Sequence, residues 1–345
     1  MRRFISIAVT AGVLVSVLAL HPFAQQGSAP PQGATRNIVR ISKYIISVSD
    51  ADRSAAFYQG IFGIPFVSGT TQVAKAQPIP DLVQKLTGVS APAMFRATNF
   101  AIPGAADDFV FEQTEFTGPA RPLSQPRMQD PGASFLVLNV RDLDAAIAGV
   151  KRLGGTIVST GGQPVGNNGN RAVFARDPDG AFIEIIQPPQ LPPATESKSL
   201  VVSSVRIAFV VADAEKAGQF YRDKFGFDVK MPGPWNEDQR IAGLPGLPGS
   251  KVRSATVTVP GKTLSWQFYE YGGLDRKAHV RNVPDPGAPA AGFEVRDAAA
   301  ALEVIKAGGG TVISAGGKPV EGRNFAFARD PNGVLLEVIQ VAPKP

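Results

Sequence analysis

The chain has no cysteine, two histidines and two tryptophans in 345 residues. Without cysteine there is no disulfide framework, no thiolate nucleophile and no thiolate metal site, so stability has to come from packed cores. The two histidines, His21 and His279, are far from any metal-ligand spacing. They also leave no Ser-His-Asp or Cys-His set for hydrolysis, since a lone His279 is insufficient. Blocks of like charge are missing too. Lys and Arg number 35 against 29 Asp and Glu, and the formal excess of +6 is mild for this length and scattered. Nucleic acid as a partner needs a clustered basic face, and none is expected.

What is present suits a globular protein: 44% hydrophobic residues, 19% charged, with 30 prolines and 36 glycines marking many turns. The length fits two domains and a modest extra segment. That segment is N-terminal. Met1-Arg2-Arg3 supplies a positive start, Phe4 to Leu20 is apolar and uncharged, and Ala24 precedes Gln25 and Gln26. This reads as a signal peptide over 1–24, followed by a disordered Ser/Pro/Gly-rich stretch over 25–37. The apolar run is shorter than the roughly 20 residues that comfortably span a bilayer. Pro22, at the usual small-residue position before the cut, keeps an uncleaved anchor as the alternative. The expected location is periplasmic or secreted, with no membrane span after cleavage.

Beyond it the sequence repeats itself. One copy begins Ile41-Ser-Lys-Tyr-Ile-Ile-Ser-Val-Ser-Asp50 and runs through Phe57-Tyr58 to Phe62-Gly63. The other begins Ser204-Val-Arg-Ile-Ala-Phe-Val-Val-Ala-Asp213 and runs through Phe220-Tyr221 to Phe225-Gly226. Asp130-Pro-Gly-Ala133 answers Asp285-Pro-Gly-Ala288, and Ala175-Arg-Asp-Pro-Asp-Gly180 answers Ala328-Arg-Asp-Pro-Asn-Gly333. The copies span 38–188 and 200–342, joined by a Pro/Ser/Thr-rich linker over 189–199. Asp50, Asp142, Asp213 and Asp297 stand before helical patterns as N-caps. The Asp-Pro-(Asp/Asn)-Gly segments are hairpin turns whose glycine supplies a positive φ. Arg176 and Arg329 beside them are expected to bind backbone or carboxylates locally. Each half then reads as β-α-β-β-β, giving four modules. The fold class is α+β: two tandem domains, each of paired βαβββ modules forming an open, cup-shaped mixed β-sheet.

A first strand ending in Asp, a helix carrying Phe-Tyr, a Phe-Gly stop and a closing Asp-Pro-(Asp/Asn)-Gly-x-x-x-Glu strand resemble the vicinal oxygen chelate superfamily. That family includes glyoxalase I, extradiol dioxygenases, fosfomycin resistance enzymes and bleomycin-binding proteins. The resemblance implies that two modules curl into a cup. It also implies that catalytic members hold a divalent metal there on first-strand and last-strand residues. The first-strand histidine place is Lys43 in one copy and Arg206 in the other. The remaining places are Glu112, Phe135 and Glu184 in the first copy, and Gln267, Ala290 and Glu337 in the second. Grouped by copy, the cups are Lys43/Glu112/Phe135/Glu184 and Arg206/Gln267/Ala290/Glu337, with pairing across copies as the alternative. Metals want imidazole, thiolate or converging carboxylates, and an ammonium or guanidinium at a ligand position repels a divalent cation. No metal ligand set and no cofactor is therefore expected, a divalent metal being disfavoured.

Instead the cation becomes a side chain, with Lys43 between Glu112 and Glu184, and Arg206 reaching Glu337 and Gln267. Phe57-Tyr58 and Phe220-Tyr221 are expected to be packing anchors. Trp266 should face away from the cup if Gln267 faces it. The Pro/Gly-rich segment Pro232 to Pro248, with Trp235, is a lid over the second cup, and Ser68 to Pro92 is its counterpart. The function these features favour is metal-free binding of a small molecule, anionic or carbonyl-bearing. One alternative is a lyase, isomerase or dioxygenase with a non-standard site; another is a structural or partner-binding repeat with filled cups. A homo-oligomer is left open.

Overall fold

A computed structural model of the chain describes residues 37–341 apart from 106–108, 119–120, 122, 124, 168, 192–198, 259–264 and 321–323. The signal-like run and most of the linker lie outside the described residues. Asn37, grouped above with the disordered stretch, is instead tied down. Its side chain donates to the Asp297 carbonyl at 3.0 Å and accepts from the Asp297 amide at 2.7 Å.

Four modules follow one another. The first holds β1 (Ile38–Val48), α1 (Ala51–Phe62), β2 (Gln77–Pro78), α2 (Asp81–Thr87), β3 (Met94–Ala101) and β4 (Val110–Thr117). The second holds β5 (Ser134–Val140), α3 (Leu143–Arg152), β6 (Thr156–Ile157), β7 (Val165–Asn167), β8 (Asn170–Arg176) and β9 (Phe182–Gln187). The third holds β10 (Val201–Val210), α4 (Ala214–Phe225), β11 (Asp228–Lys230), α5 (Gln239–Gly243), β12 (Lys251–Thr258) and β13 (Ser265–Gly272). The fourth holds β14 (Pro289–Val295), α6 (Ala298–Ala307), β15 (Thr311–Val312), β16 (Phe325–Arg329) and β17 (Leu335–Gln340). None of the described helices is long and apolar enough to cross a membrane.

Local chemistry sets the element ends. Asp50, Asp142, Asp213 and Asp297 each accept a first-turn amide of the helix that follows, satisfying donors that have no intrahelical partner. Gly63 and Gly226 stop α1 and α4 in the left-handed region, where a Cβ would be strained.

The modules pair across the two copies. β1 lies antiparallel to β14, so one sheet runs β15-β16-β17-β14-β1-β4-β3-β2 and joins the first and fourth modules. β10 lies antiparallel to β5, so the other runs β11-β12-β13-β10-β5-β9-β8-β6 and joins the third and second, with β7 attached to β8. Within a copy the link is made by helices and turns. Tyr58 on α1 donates to Asp177 at 3.0 Å, and Tyr221 on α4 donates to Asp330 at 2.8 Å. Asp177 and Asp330 also accept amides of their own turns, which is why the Asp-Pro-x-Gly motif recurs.

Strand alternation divides the side chains. Leu136, Leu138, Ile207, Phe209, Phe293 and Val338 point toward the helices and enter one core that runs through both sheets. Trp266 is fully buried there, its ring 4.8 Å from Tyr221 and 6.2 Å from Phe293, so the second and first sheets share an aromatic contact. The opposite faces of the two sheets form the cups.

Candidate functional site

In the first cup, β1 and β4 are parallel with Ile45 beside Glu112, and β14 and β17 are parallel with Gly292 beside Glu337. Lys43 lies across from Gly292. Its ammonium donates to Glu112 Oε2 at 2.9 Å and stands 3.3 Å from Glu337 Oε2. Gly292 makes this crossing sterically open, because a Cβ there would sit 2.8 Å from the Lys43 Cβ. A lone glycine inside an apolar strand signals such a close approach, and that is the one trace of this feature in the sequence.

In the second cup, Arg206 on β10 reaches Glu184 on β9 at 3.4 Å. Gln267 donates to Thr256 at 3.3 Å and accepts from the Tyr269 hydroxyl at 2.9 Å. Phe135 packs its ring 4.9 Å from Phe174 and 5.2 Å from Tyr269.

The grouping by copy is therefore corrected. Lys43 meets Glu337 rather than Glu184, and Arg206 meets Glu184 rather than Glu337. Gln267 is held by Thr256 and Tyr269. The first cup is Lys43/Glu112/Ala290/Glu337 and the second Arg206/Gln267/Phe135/Glu184. The cause is the exchange of partners between β5 and β14, each of which presents the same alternation to a first strand.

Each cup is stoppered by a leucine-bearing segment. Leu82 and Leu86 of α2 pack with Ile45, Ala290, Phe327 and Leu335, and Ser314 Oγ donates to the Leu86 carbonyl at 3.0 Å. Leu244 and Leu247, just after α5, pack with Phe135, Phe174 and Tyr271, and Ser159 Oγ donates to the Leu244 carbonyl at 2.6 Å. Gly246 turns with φ +73°, and a Cβ there would lie 2.3 Å from the Val158 carbonyl oxygen. These leucines fall within Ser68 to Pro92 and Pro232 to Pro248, and Trp235 is not among the residues that fill the cup. Its ring lies 4.7 Å from the Arg253 guanidinium and 5.1 Å from the Lys251 ammonium. Arg253 pairs with Glu270 on the face opposite Gln267. Trp266 likewise faces away from the cup.

The electrostatics follow from burial. The side chains of Glu112 and Glu337 are 12% and 11% exposed, and that of Lys43 27%. Burial alone would favour neutral lysine, but Glu337 and Glu112 overcome it and hold the ammonium above the ordinary lysine range. Glu337 is pushed up to about 7, chiefly by burial and against the pull of Lys43, with Glu112 adding to the rise. Glu184 is raised by burial, opposed by Arg206.

A divalent metal does not fit these residues. In the first cup a protonated amine stands between the carboxylates; the second supplies one carboxylate, an engaged amide, a phenylalanine and a guanidinium. Among the described residues no group of three or more His, Asp or Glu is arranged to hold a metal ion. His279 lines a narrow crevice with Arg281 and Arg329 that includes none of Lys43, Glu112, Glu337, Arg206, Gln267 and Glu184.

No curated protein matches the sequence. Solved structures do match the fold. Glyoxalase I from Zea mays superposes with a TM-score of 0.56 at 19% identity, covering 87% of this chain and 92% of that one. A candidate dioxygenase from Bacillus subtilis superposes with a TM-score of 0.52 at 11% identity, covering 89% and 87%. The model of one family, Glyoxalase/Bleomycin resistance protein/Dioxygenase superfamily, matches twice, over residues 40–185 and 203–338. The chain belongs to the Glyoxalase/Bleomycin resistance protein/Dioxygenase superfamily, as a tandem member with two such domains.

Proposed function

We propose that this chain is an exported small-molecule binding protein in which a side-chain cation takes the place of the family's metal. Its ligand presents an anionic or carbonyl oxygen to that cation. The observation that carries this reading is the Lys43 ammonium between Glu112 and Glu337, at 2.9 and 3.3 Å, with the Arg206–Glu184 pair at the matching place in the other cup. The side chains of both cations are 27% exposed, so neither is sealed from solvent. Over the cups themselves the lids rest on a few leucines and one serine hydroxyl each, while backbone pairing of Ile79 with Ala93 and of Asn236 with Val252 anchors their roots, so a ligand enters by displacing the leucines. Export rests on the N-terminal sequence alone.

One observation favours a second reading. A carboxyl titrating near neutrality beside a fixed ammonium is suited to proton transfer, so Glu337 with Lys43 supports a lyase or isomerase with a metal-free acid/base pair.

Calorimetry on untagged protein with a panel of small carboxylates and neutral carbonyl compounds tests the first reading. Saturable binding that weakens in Lys43→Arg or Arg206→Lys is the expected result. The absence of any binding across the panel would overturn it. Turnover of a carbonyl substrate that is lost in Glu337→Gln would favour the second.

A further inference from the structure

We propose that the second cup is the ligand site and takes a planar aromatic carboxylate on Arg206, while Lys43 in the first cup serves as an internal counter-ion. This rests on the binding reading above and narrows it to one cup and one ligand class.

The first argument is charge. In the first cup one ammonium faces two carboxyls, Glu112 and Glu337, so an incoming anion meets a neutral or negative site. In the second, one guanidinium faces one carboxyl, Glu184. The second argument is donor supply. Lys43 makes a short charge-assisted bond to Glu112 and a close contact with Glu337. Arg206 contacts Glu184 through a single Nη2 at 3.4 Å, and its buried Nε has no hydrogen-bond partner. A guanidinium offers five N–H groups in a fixed fork that matches a carboxylate edge, so most of this fork is uncommitted.

The third argument is the walls. The second cup is built of Phe135, Phe174, Tyr269 and Tyr271, with Phe135 already in edge-on contact with Phe174. Aromatic pairs in such offset or edge arrangements attract each other beyond the area they bury. Ile45, Ala290 and Leu335 give the first cup a mainly aliphatic lining. The bound ring would take the place that Leu244 and Leu247 hold against Phe135 and Phe174.

The test is isothermal calorimetry on the full chain with benzoate, benzamide and cyclohexanecarboxylate as probes. Benzoate should bind once per chain, and benzamide and cyclohexanecarboxylate should each bind about tenfold more weakly or worse. Arg206→Lys, which keeps the charge and loses the fork, should weaken benzoate about tenfold, whereas Arg222→Lys, on the exposed face of α4, should leave it unchanged. Phe135→Leu provides a second variant on the same cup and should erase the preference for benzoate over cyclohexanecarboxylate. Equal affinity for benzoate and benzamide in the unaltered protein would overturn the inference, as would a loss confined to Lys43→Arg. If benzoate fails but benzaldehyde binds in a Lys43-dependent way, the inference falls and the binding reading stands. If nothing in the wider panel binds, the binding reading falls with it.

Discussion

Lys43→Met keeps most of the side chain's apolar stem and removes the one ammonium that neutralises Glu112 and Glu337. Both carboxyls are largely shielded from water, at 12% and 11% exposed, so solvent offsets little of the loss. Truncating one partner of a buried pair costs about 3–5 kcal/mol, and the partial exposure of Lys43 places this case near the lower end, at about 3 kcal/mol near pH 8. The penalty is electrostatic and therefore tied to pH. As pH falls the stranded carboxyls take up protons, and near pH 5 the deficit should shrink to about 1 kcal/mol. Urea unfolding followed by tryptophan fluorescence is suited to the measurement, because Trp266 is fully buried in the shared aromatic core. The triple variant Lys43→Met/Glu112→Gln/Glu337→Gln should regain most of the lost stability, since amides need no counter-ion. A Lys43→Met protein within about 0.5 kcal/mol of the parent near pH 8 would refute the reasoning, that being the ordinary range of an inert surface change. An equal loss at both pH values would also refute it, because the cause would then be packing.

Glu337 has a folded-state pKa raised to about 7. Its proton-linked stability is full below the unfolded carboxyl value and is lost as pH rises through about 7, at no more than about 1.4 kcal/mol per pH unit. Glu337→Gln should remove that slope, and parallel stability curves for parent and variant between about pH 5 and 7 would contradict the assignment. Tyr58→Phe and Tyr221→Phe keep the rings but deprive buried Asp177 and Asp330 of a donor. Each should cost about 1–3 kcal/mol in chemical denaturation, and a neutral result at both would sink the idea that these bonds tie each copy together. Gly292→Ala places a methyl 2.8 Å from the Lys43 Cβ. An overpacking cost of about 1–3 kcal/mol is expected, and an unchanged melting temperature would count against the observed crossing of Lys43 over β14.

Much of the fold is legible in the sequence because its signals are local. Asp50, Asp142, Asp213 and Asp297 cap helices through their own side chains, and the glycines of the Asp-Pro-x-Gly turns, Gly180 and Gly333, have φ of +84° and +91°. The alternation of Trp266 with Gln267 already separates core from cup. Module pairing is not local. β5 and β14 offer a first strand the same pattern of faces, and the choice between them depends on contacts more than two hundred residues apart, such as Lys43 with Gly292 and Arg40 with Glu294. The eight cup residues can be found from the repeat, but their grouping cannot. Trp235 illustrates a further limit. A large aromatic in a Pro/Gly-rich lid suggests a stopper, yet Arg253 and Lys251 draw its ring to the opposite face, and the smaller Leu244 and Leu247 fill the cup.

Whether a side chain or a metal supplies the positive charge in these cups is decided most directly by elemental analysis of untagged protein, incubated with zinc, nickel, cobalt and manganese salts and then dialysed. If Lys43 and Arg206 hold those positions, the retained metal will be substoichiometric in the parent and in Glu337→Gln alike. One equivalent of a divalent metal per chain in the parent, lost in Glu337→Gln, would contradict it.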